Sequence, residues 1–177
     1  MKKVAVIGTH GVRKTTICHS FVAALKERGV NADYLGEIAR DAERAGFKLN
    51  EGTTRESQRW ILHTQISREL EFGKRRDVDV LVCDRCVFDN YMYYVNHFGS
   101  DVILDQIVNE HVKSYYLLLK IPLNEGSLNA DSVRAVDREF QRKIGELLDD
   151  ELKKREISFQ NYEGIAPALE IILGKAS

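Results

Sequence analysis

Four apolar residues, Val4-Ala5-Val6-Ile7, open the chain without an intervening polar position, and comparable apolar runs fall at Val78–Cys83 and Tyr115–Lys120. A short run without alternation predicts a parallel strand covered on both faces. Strands are accordingly expected at Lys3–Ile7, Ala32–Leu35, Val78–Cys83, Tyr115–Lys120 and Ile157–Asn161. Between them, apolar positions at helical spacing predict helices over Lys14–Arg28, Glu37–Ala45, Thr54–Arg76, Asn90–Asn96, Val102–Val112, Arg134–Arg155 and Ala166–Leu173. Thr53 with Glu56 reads as a capping box for the third helix, and Gly29 as the left-handed residue that closes the first. Strands alternating with helices define a doubly wound α/β sheet, in which ligands bind beyond the carboxyl ends of the strands. With no repeat, low-complexity tract or linker, residues 1–177 read as a single domain.

Composition narrows the class. Lys+Arg is 26 and Asp+Glu is 27, a balance that argues against a dedicated nucleic-acid partner. No apolar run approaches the roughly 18 residues of a membrane-spanning helix. Met1-Lys2-Lys3 resembles the charged start of a signal peptide, but the apolar run behind it stops at Gly8, too early for a leader. Three cysteines without a disulfide framework point to a reducing, cytoplasmic setting.

Directly after the first strand stands Gly8-Thr9-His10-Gly11-Val12-Arg13-Lys14-Thr15-Thr16. The phosphate-loop pattern G-x-x-x-x-G-K-[ST] is met at Gly8, Lys14 and Thr15, with Arg13 at the second glycine. Backbone N–H groups of such a loop curl around a phosphate, and the helix behind it points its positive end there. Lys14 is expected to reach the outer phosphates of a nucleoside triphosphate, and the Thr15 hydroxyl to hold Mg²⁺. A plain glycine turn with a solvated lysine is the alternative; the strand before and helix after favour the phosphate loop. Arg13 admits two readings. Its guanidinium binds phosphate in a variant loop, or its side chain intrudes on the site or strains the backbone and weakens nucleotide binding. The β-carbon weighs toward the second, because glycine there lets the backbone press close to the ligand.

Asp84, at the tip of the Val80-Leu81-Val82-Cys83 run, is the expected second Mg²⁺ anchor, and Arg85 follows it. Asp84 as a helix N-cap is the competing reading. After the second strand, Glu37 is a candidate general base with Arg40 on the same helical face, although a carboxylate there also complements a helix dipole.

Gly8–Thr15, Glu37-Ile38-Ala39-Arg40 and Cys83-Asp84-Arg85 together resemble a family of P-loop proteins that includes the nicotinamide riboside kinase domain. The stretch from Asp84-Arg85 through Asp89-Asn90-Tyr91 is also similar to thymidylate and deoxynucleoside kinases. The resemblance spans most of the chain and departs from the family at Arg13, a position that bears on triphosphate binding. It implies five parallel strands in the order 2-3-1-4-5, with γ-phosphoryl transfer from ATP or GTP to a nucleoside, nucleotide or similar small acceptor. Glu37 then becomes the base, and Asp84-Arg85 the metal and acceptor site. A lid over about residues 121–142 is expected to bring Arg134 and Arg138, one helical turn apart, to the phosphates; a salt-bridged solvent face is the alternative. Gln58 or Arg59 would touch the acceptor, while Trp60 and Ile61 read as core. Cys83-x-x-Cys86 lacks the second pair that zinc would need and reads as core; His10 reads as shaping the loop.

The reading is a Mg²⁺-dependent phosphotransferase with Lys14, Glu37, Asp84, Arg85, Arg134 and Arg138 as its catalytic set. The loop residues Gly8, His10, Gly11, Val12, Arg13, Lys14, Thr15 and Thr16 would bind nucleotide, and Thr15 and Asp84 the metal. A slow nucleotide switch, or a kinase-fold scaffold that no longer binds nucleotide, are the rivals; a homo-oligomer is left open.

Overall fold

In the computed structural model, residues 1–49, 52–123 and 138–174 are described. The chain runs β1 (Lys2–Ile7), α1 (Lys14–Lys26), β2 (Ala32–Leu35), α2 (Ile38–Arg44), α3 (Arg55–Lys74), β3 (Val80–Asp84), α4 (Val87–Phe98), α5 (Val102–Val112), β4 (Leu117–Lys120), α6 (Arg138–Lys154), β5 (Gln160–Asn161) and α7 (Ile165–Leu173). Five strands form one sheet in the order β2-β3-β1-β4-β5, each neighbouring pair parallel, as expected from the alternation and the resemblance.

The unbroken apolar runs are explained by this layering. β1 lies between β3 and β4, so Val4 through Ile7 face helices on both sides. Ala5, Ile7, Leu81 and Cys83 meet the helical layer containing Ile61, Leu62, Tyr91 and Leu148. Val4, Val6, Val80 and Val82 pack with Phe21 and Leu25 of α1 and Leu169 of α7. Among the described residues no helix is long and apolar enough to cross a membrane.

Of the boundaries that move, three do so for a local reason. The cap of α3 is Thr54, not Thr53: its side chain accepts from the Ser57 N–H while Ser57 Oγ accepts from the Thr54 N–H. Thr53 instead accepts from Gln58 Nε2 at 2.8 Å. Helix α4 begins three residues earlier than expected, because the Cys86 thiol takes the capping role by accepting from Asp89 N–H at 3.4 Å. The last strand shrinks to two residues. Ile157 is used elsewhere: its N–H donates to Leu152 O (2.9 Å), closing α6 around Glu156 at φ 53. The same motif closes α1. Val30 N–H bonds Leu25 O and Gly29 N–H bonds Lys26 O, with Gly29 left-handed as its sequence position predicts.

At the end of the sheet away from the phosphate loop, buried Glu69 ties three elements together. Its carboxylate accepts from Lys3 Nζ (2.5 Å), His111 Nε2 (2.7 Å), Tyr115 OH (2.5 Å) and Gln65 Nε2 (2.7 Å). Burial alone would raise its pKa, but donors from His111, Lys3 and Tyr115 outweigh that and hold the carboxyl below its ordinary value. Glu69→Ala should therefore cost about 3–5 kcal/mol, since it strands a buried ammonium. The folded pKa is depressed, so the carboxylate's contribution is fully present above the ordinary value near 4.5 and fades as pH falls through the lower folded value. Urea unfolding of parent and variant should show a gap that narrows in acid; a gap independent of pH would contradict this account.

Candidate active site

The phosphate loop turns back on itself through three left-handed residues between β1 and α1: Gly8 (φ 137), Gly11 (φ 79) and Arg13 (φ 61). A β-carbon at Gly8 would sit 3.1 Å from the Ile121 carbonyl oxygen, so glycine there is required by space as well as by backbone angle. Arg13 is the N-cap residue of α1 and makes no side-chain cap, leaving the first N–H groups of that helix directed at the loop. Its side chain is exposed, so the guanidinium does not intrude on the cradle; strain, not obstruction, is what Arg13 brings.

Lys14 is buried and its ammonium arches over the loop to the Thr9 carbonyl at 2.5 Å. Burial, and then the neighbouring charge of Arg85, lower its pKa from 10.5 to about 8, against the pull of Asp89, Asp84 and Glu37. Val12 is buried among α1 and α7 residues, whereas Thr16 is exposed. The His10 ring lies 5.7 Å from Phe140 of α6, and the His10 carbonyl accepts from Gln141 Nε2 at 2.5 Å. His10 thus joins the loop to the first turn of α6.

Asp84 ends β3 and is nearly sealed from solvent, at 1% exposure. Its Oδ2 accepts from Thr15 Oγ1 at 2.5 Å and from Tyr34 OH at 3.3 Å, while Oδ1 has no hydrogen-bond partner. The adjoining helix is capped by Cys86, which sets aside Asp84 as its N-cap. A threonine hydroxyl against a buried carboxylate with one unused oxygen fits Mg²⁺, which takes few protein oxygens and completes its shell with water and phosphate. Thr15 and Asp84 are therefore the residues that would hold it.

Beside this pair lies a buried charge network centred on Arg85, a non-glycine residue at φ 81. Its Nε donates to Glu37 (3.0 Å), one terminal nitrogen to both Asp89 (2.9 Å) and the Gly8 carbonyl (3.2 Å), and the other to Tyr93 OH (3.2 Å). The Asp89 carboxylate in turn accepts from the Gly8 N–H at 3.2 Å. Burial pushes the Asp89 carboxyl up, opposed by Arg85 and Lys14. Glu37 also pairs with Arg40 Nε at 3.2 Å. Glu37, Lys14, Asp84 and Arg85 thus lie close together, joined by Asp89, Tyr34 and Tyr93, which sequence reasoning left without roles. The spacing of Arg85 and Asp89, four residues apart, was an available signal; Tyr34 offered none.

Other candidates lie farther out. Arg138 is exposed at the start of α6, and Arg134, with most of the expected lid, falls outside the described residues. Gln58 is buried and bonded to Thr53; Arg59 pairs with Asp101 at 2.8 Å, and His63 faces solvent. Gln65 belongs to the Glu69 network, and Trp60 packs on Phe47 at 5.2 Å. Cys18, Cys83 and Cys86 are free and buried, with burial pushing every thiol pKa up.

A parallel sheet of this order, with a glycine-turned loop running into a helix that starts Lys14-Thr15, defines a P-loop protein of kinase-like fold. The model of a family described as an AAA domain matches residues 3–164, and the chain belongs to that family. No curated protein matches it by sequence. Among solved structures, the NadR protein in complex with NR superposes with a TM-score of 0.74 at 16% identity, covering 98% of this chain and 51% of that one. The NadR protein in complex with NAD and AMP-PNP gives 0.71 at 14% identity, covering 98% and 49%. This chain therefore spans about half the length of those two. Thymidylate kinase from Ehrlichia chaffeensis gives 0.69 at 17% identity over 97% of this chain and 98% of that one. At such identities the likeness is one of fold.

Replacing Arg13 by glycine should stabilise the protein by about 1 kcal/mol. The relief of left-handed strain, about 1–2 kcal/mol, is partly offset by the greater freedom of glycine in the unfolded chain. Chemical denaturation measures the difference; a destabilised glycine variant would show that the Arg13 side chain makes a compensating contact.

Proposed function

We propose that this chain is a Mg²⁺-dependent phosphotransferase that moves the γ-phosphoryl group of ATP or GTP to a small acceptor of the nucleoside or nucleotide type. The observation that carries the reading is the contact between Thr15 and Asp84 beside the buried Lys14, a metal anchor and a phosphate-seeking cation at the head of one helix. The NadR structures, one in complex with NR and one with NAD and AMP-PNP, and that of thymidylate kinase support the substrate class. Residues 1–177 act as one domain, with a lid at about 121–142.

In this scheme the loop N–H groups and the α1 N-terminus hold the donor phosphates, and Lys14 leaves the Thr9 carbonyl to meet the outer ones. Bound Mg²⁺ supplies charge neutralisation on the phosphates. Glu37 receives the proton of an acceptor hydroxyl while that oxygen forms its bond to phosphorus and the bond to the departing nucleoside diphosphate breaks. Arg85 orients Glu37 and the loop through its four contacts. Arg134 and Arg138 compensate the phosphate charge from the lid. A phosphate acceptor needs no such base, because positioning and charge do most of the work.

Calorimetry of ATP with Mg²⁺ against the parent chain and Arg13→Gly tests the reading. Both should bind, the glycine form equally or more tightly. Binding by the glycine form alone would favour the scaffold reading for this chain, to which the strained Arg13 lends weight, and binding by neither would overturn the proposal. Acceptor-dependent formation of nucleoside diphosphate should be lost in Lys14→Ala and fall about 100-fold or more in Glu37→Gln when the acceptor is a hydroxyl.

The lowered Lys14 pKa has two opposite consequences. Nucleotide affinity should fall as pH rises through about 8, because the free protein loses the ammonium proton. Over the interval from about 8 to 10.5 the unfolded chain binds more protons than the folded one, so stability of the ligand-free protein should rise. Titrations and thermal unfolding at stepped pH read both slopes; an affinity that does not fall across this range would count against Lys14 as the phosphate ligand, and a stability that does not rise would count against its lowered pKa.

A further inference from the structure

We propose that Tyr34 is a positioning residue for Asp84, pinning one carboxylate oxygen so that the other is presented to a divalent cation. The inference rests on the phosphotransferase reading above. Tyr34 stands in β2, two strands away from the phosphate loop in the sheet order, yet its hydroxyl reaches Asp84 Oδ2 at 3.3 Å. That oxygen then carries both hydroxyl donors, from Tyr34 and Thr15, and Oδ1 carries none. A buried carboxylate held by one oxygen cannot turn its partnered side to a ligand without breaking two hydrogen bonds. The orientation is therefore fixed before any metal arrives.

The ring of Tyr34 has close neighbours as well. It lies 4.4 Å from the His19 ring of α1. A β-carbon at Gly36 would meet Tyr34 ring atoms at 3.5 Å, so the Gly36 backbone runs close to the ring. A tyrosine whose ring lies against α1 and the Gly36 backbone, and whose hydroxyl donates to Asp84, is placed to orient and not to react.

Tyr34→Phe keeps the ring and deletes only the donor. ATP is titrated into parent and variant by calorimetry, once with Mg²⁺ and once with EDTA, in the Arg13→Gly background if that binds more tightly. The factor by which Mg²⁺ tightens binding should drop about fivefold in the phenylalanine form, with metal-free affinity unchanged. A fall in both affinities together would assign Tyr34 a general packing role and overturn the inference, as would an unchanged Mg²⁺ factor. Thermal unfolding confirms that the variant is folded when the factor is read. If neither parent nor Arg13→Gly binds nucleotide with Mg²⁺, the phosphotransferase reading falls as well; if they bind and only the factor is unmoved, the inference alone fails.

Discussion

A single buried guanidinium organises the business end of this protein. Arg85 gathers Glu37 from beyond β2, Asp89 from α4 and the Gly8 carbonyl from the start of the phosphate loop. Without it, the Asp89 carboxylate would lie buried with Lys14 as its neighbouring cation and Glu37 would keep only the half-exposed Arg40, an arrangement that low dielectric makes costly. The left-handed backbone at Arg85 follows from the same demand, since the chain must leave β3 in a direction that returns the side chain toward β1. The loop, the base candidate and the head of α4 are thereby fixed relative to one another.

The phosphate loop meets a different constraint. Closing a short turn from strand to helix takes three residues in the left-handed region, and here one of them is an arginine. Its exposed side chain leaves the inner surface of the turn clear, so the departure from the usual glycine is absorbed in backbone energy. Shared fold with the NadR and thymidylate kinase structures at 14–17% identity is consistent with a scaffold whose backbone course matters more than most of its side chains.

Much of this was legible in the residues. The unbroken runs at Val4–Ile7 and Val80–Cys83 identified buried parallel strands because both faces of each are covered, and the G-x-x-x-x-x-K-T spacing located the loop. What escaped were features set by three-dimensional closure. The Cys86 cap depends on a thiol taking a place that oxygen usually fills, and the shortened β5 depends on Ile157 being spent on the end of α6. Tyr34 escaped for a related reason. Its significance lies in a reach across the sheet to Asp84, and no local pattern encodes that distance. Arg85 was singled out as a candidate position, but its saturation by internal partners appears only once β1, β2 and α4 are brought together.

The three thiols, all free and buried, make this chain convenient chemically. Each is shielded, and each is held in its unreactive protonated form by burial first of all. Reagents that attack thiolates find no ready target in the folded native sequence. One cysteine introduced on an exposed helix position would therefore accept a fluorophore or spin label selectively, without stripping out the native three. Paired labels placed that way could follow segment movements in solution while leaving the packed interior as it stands.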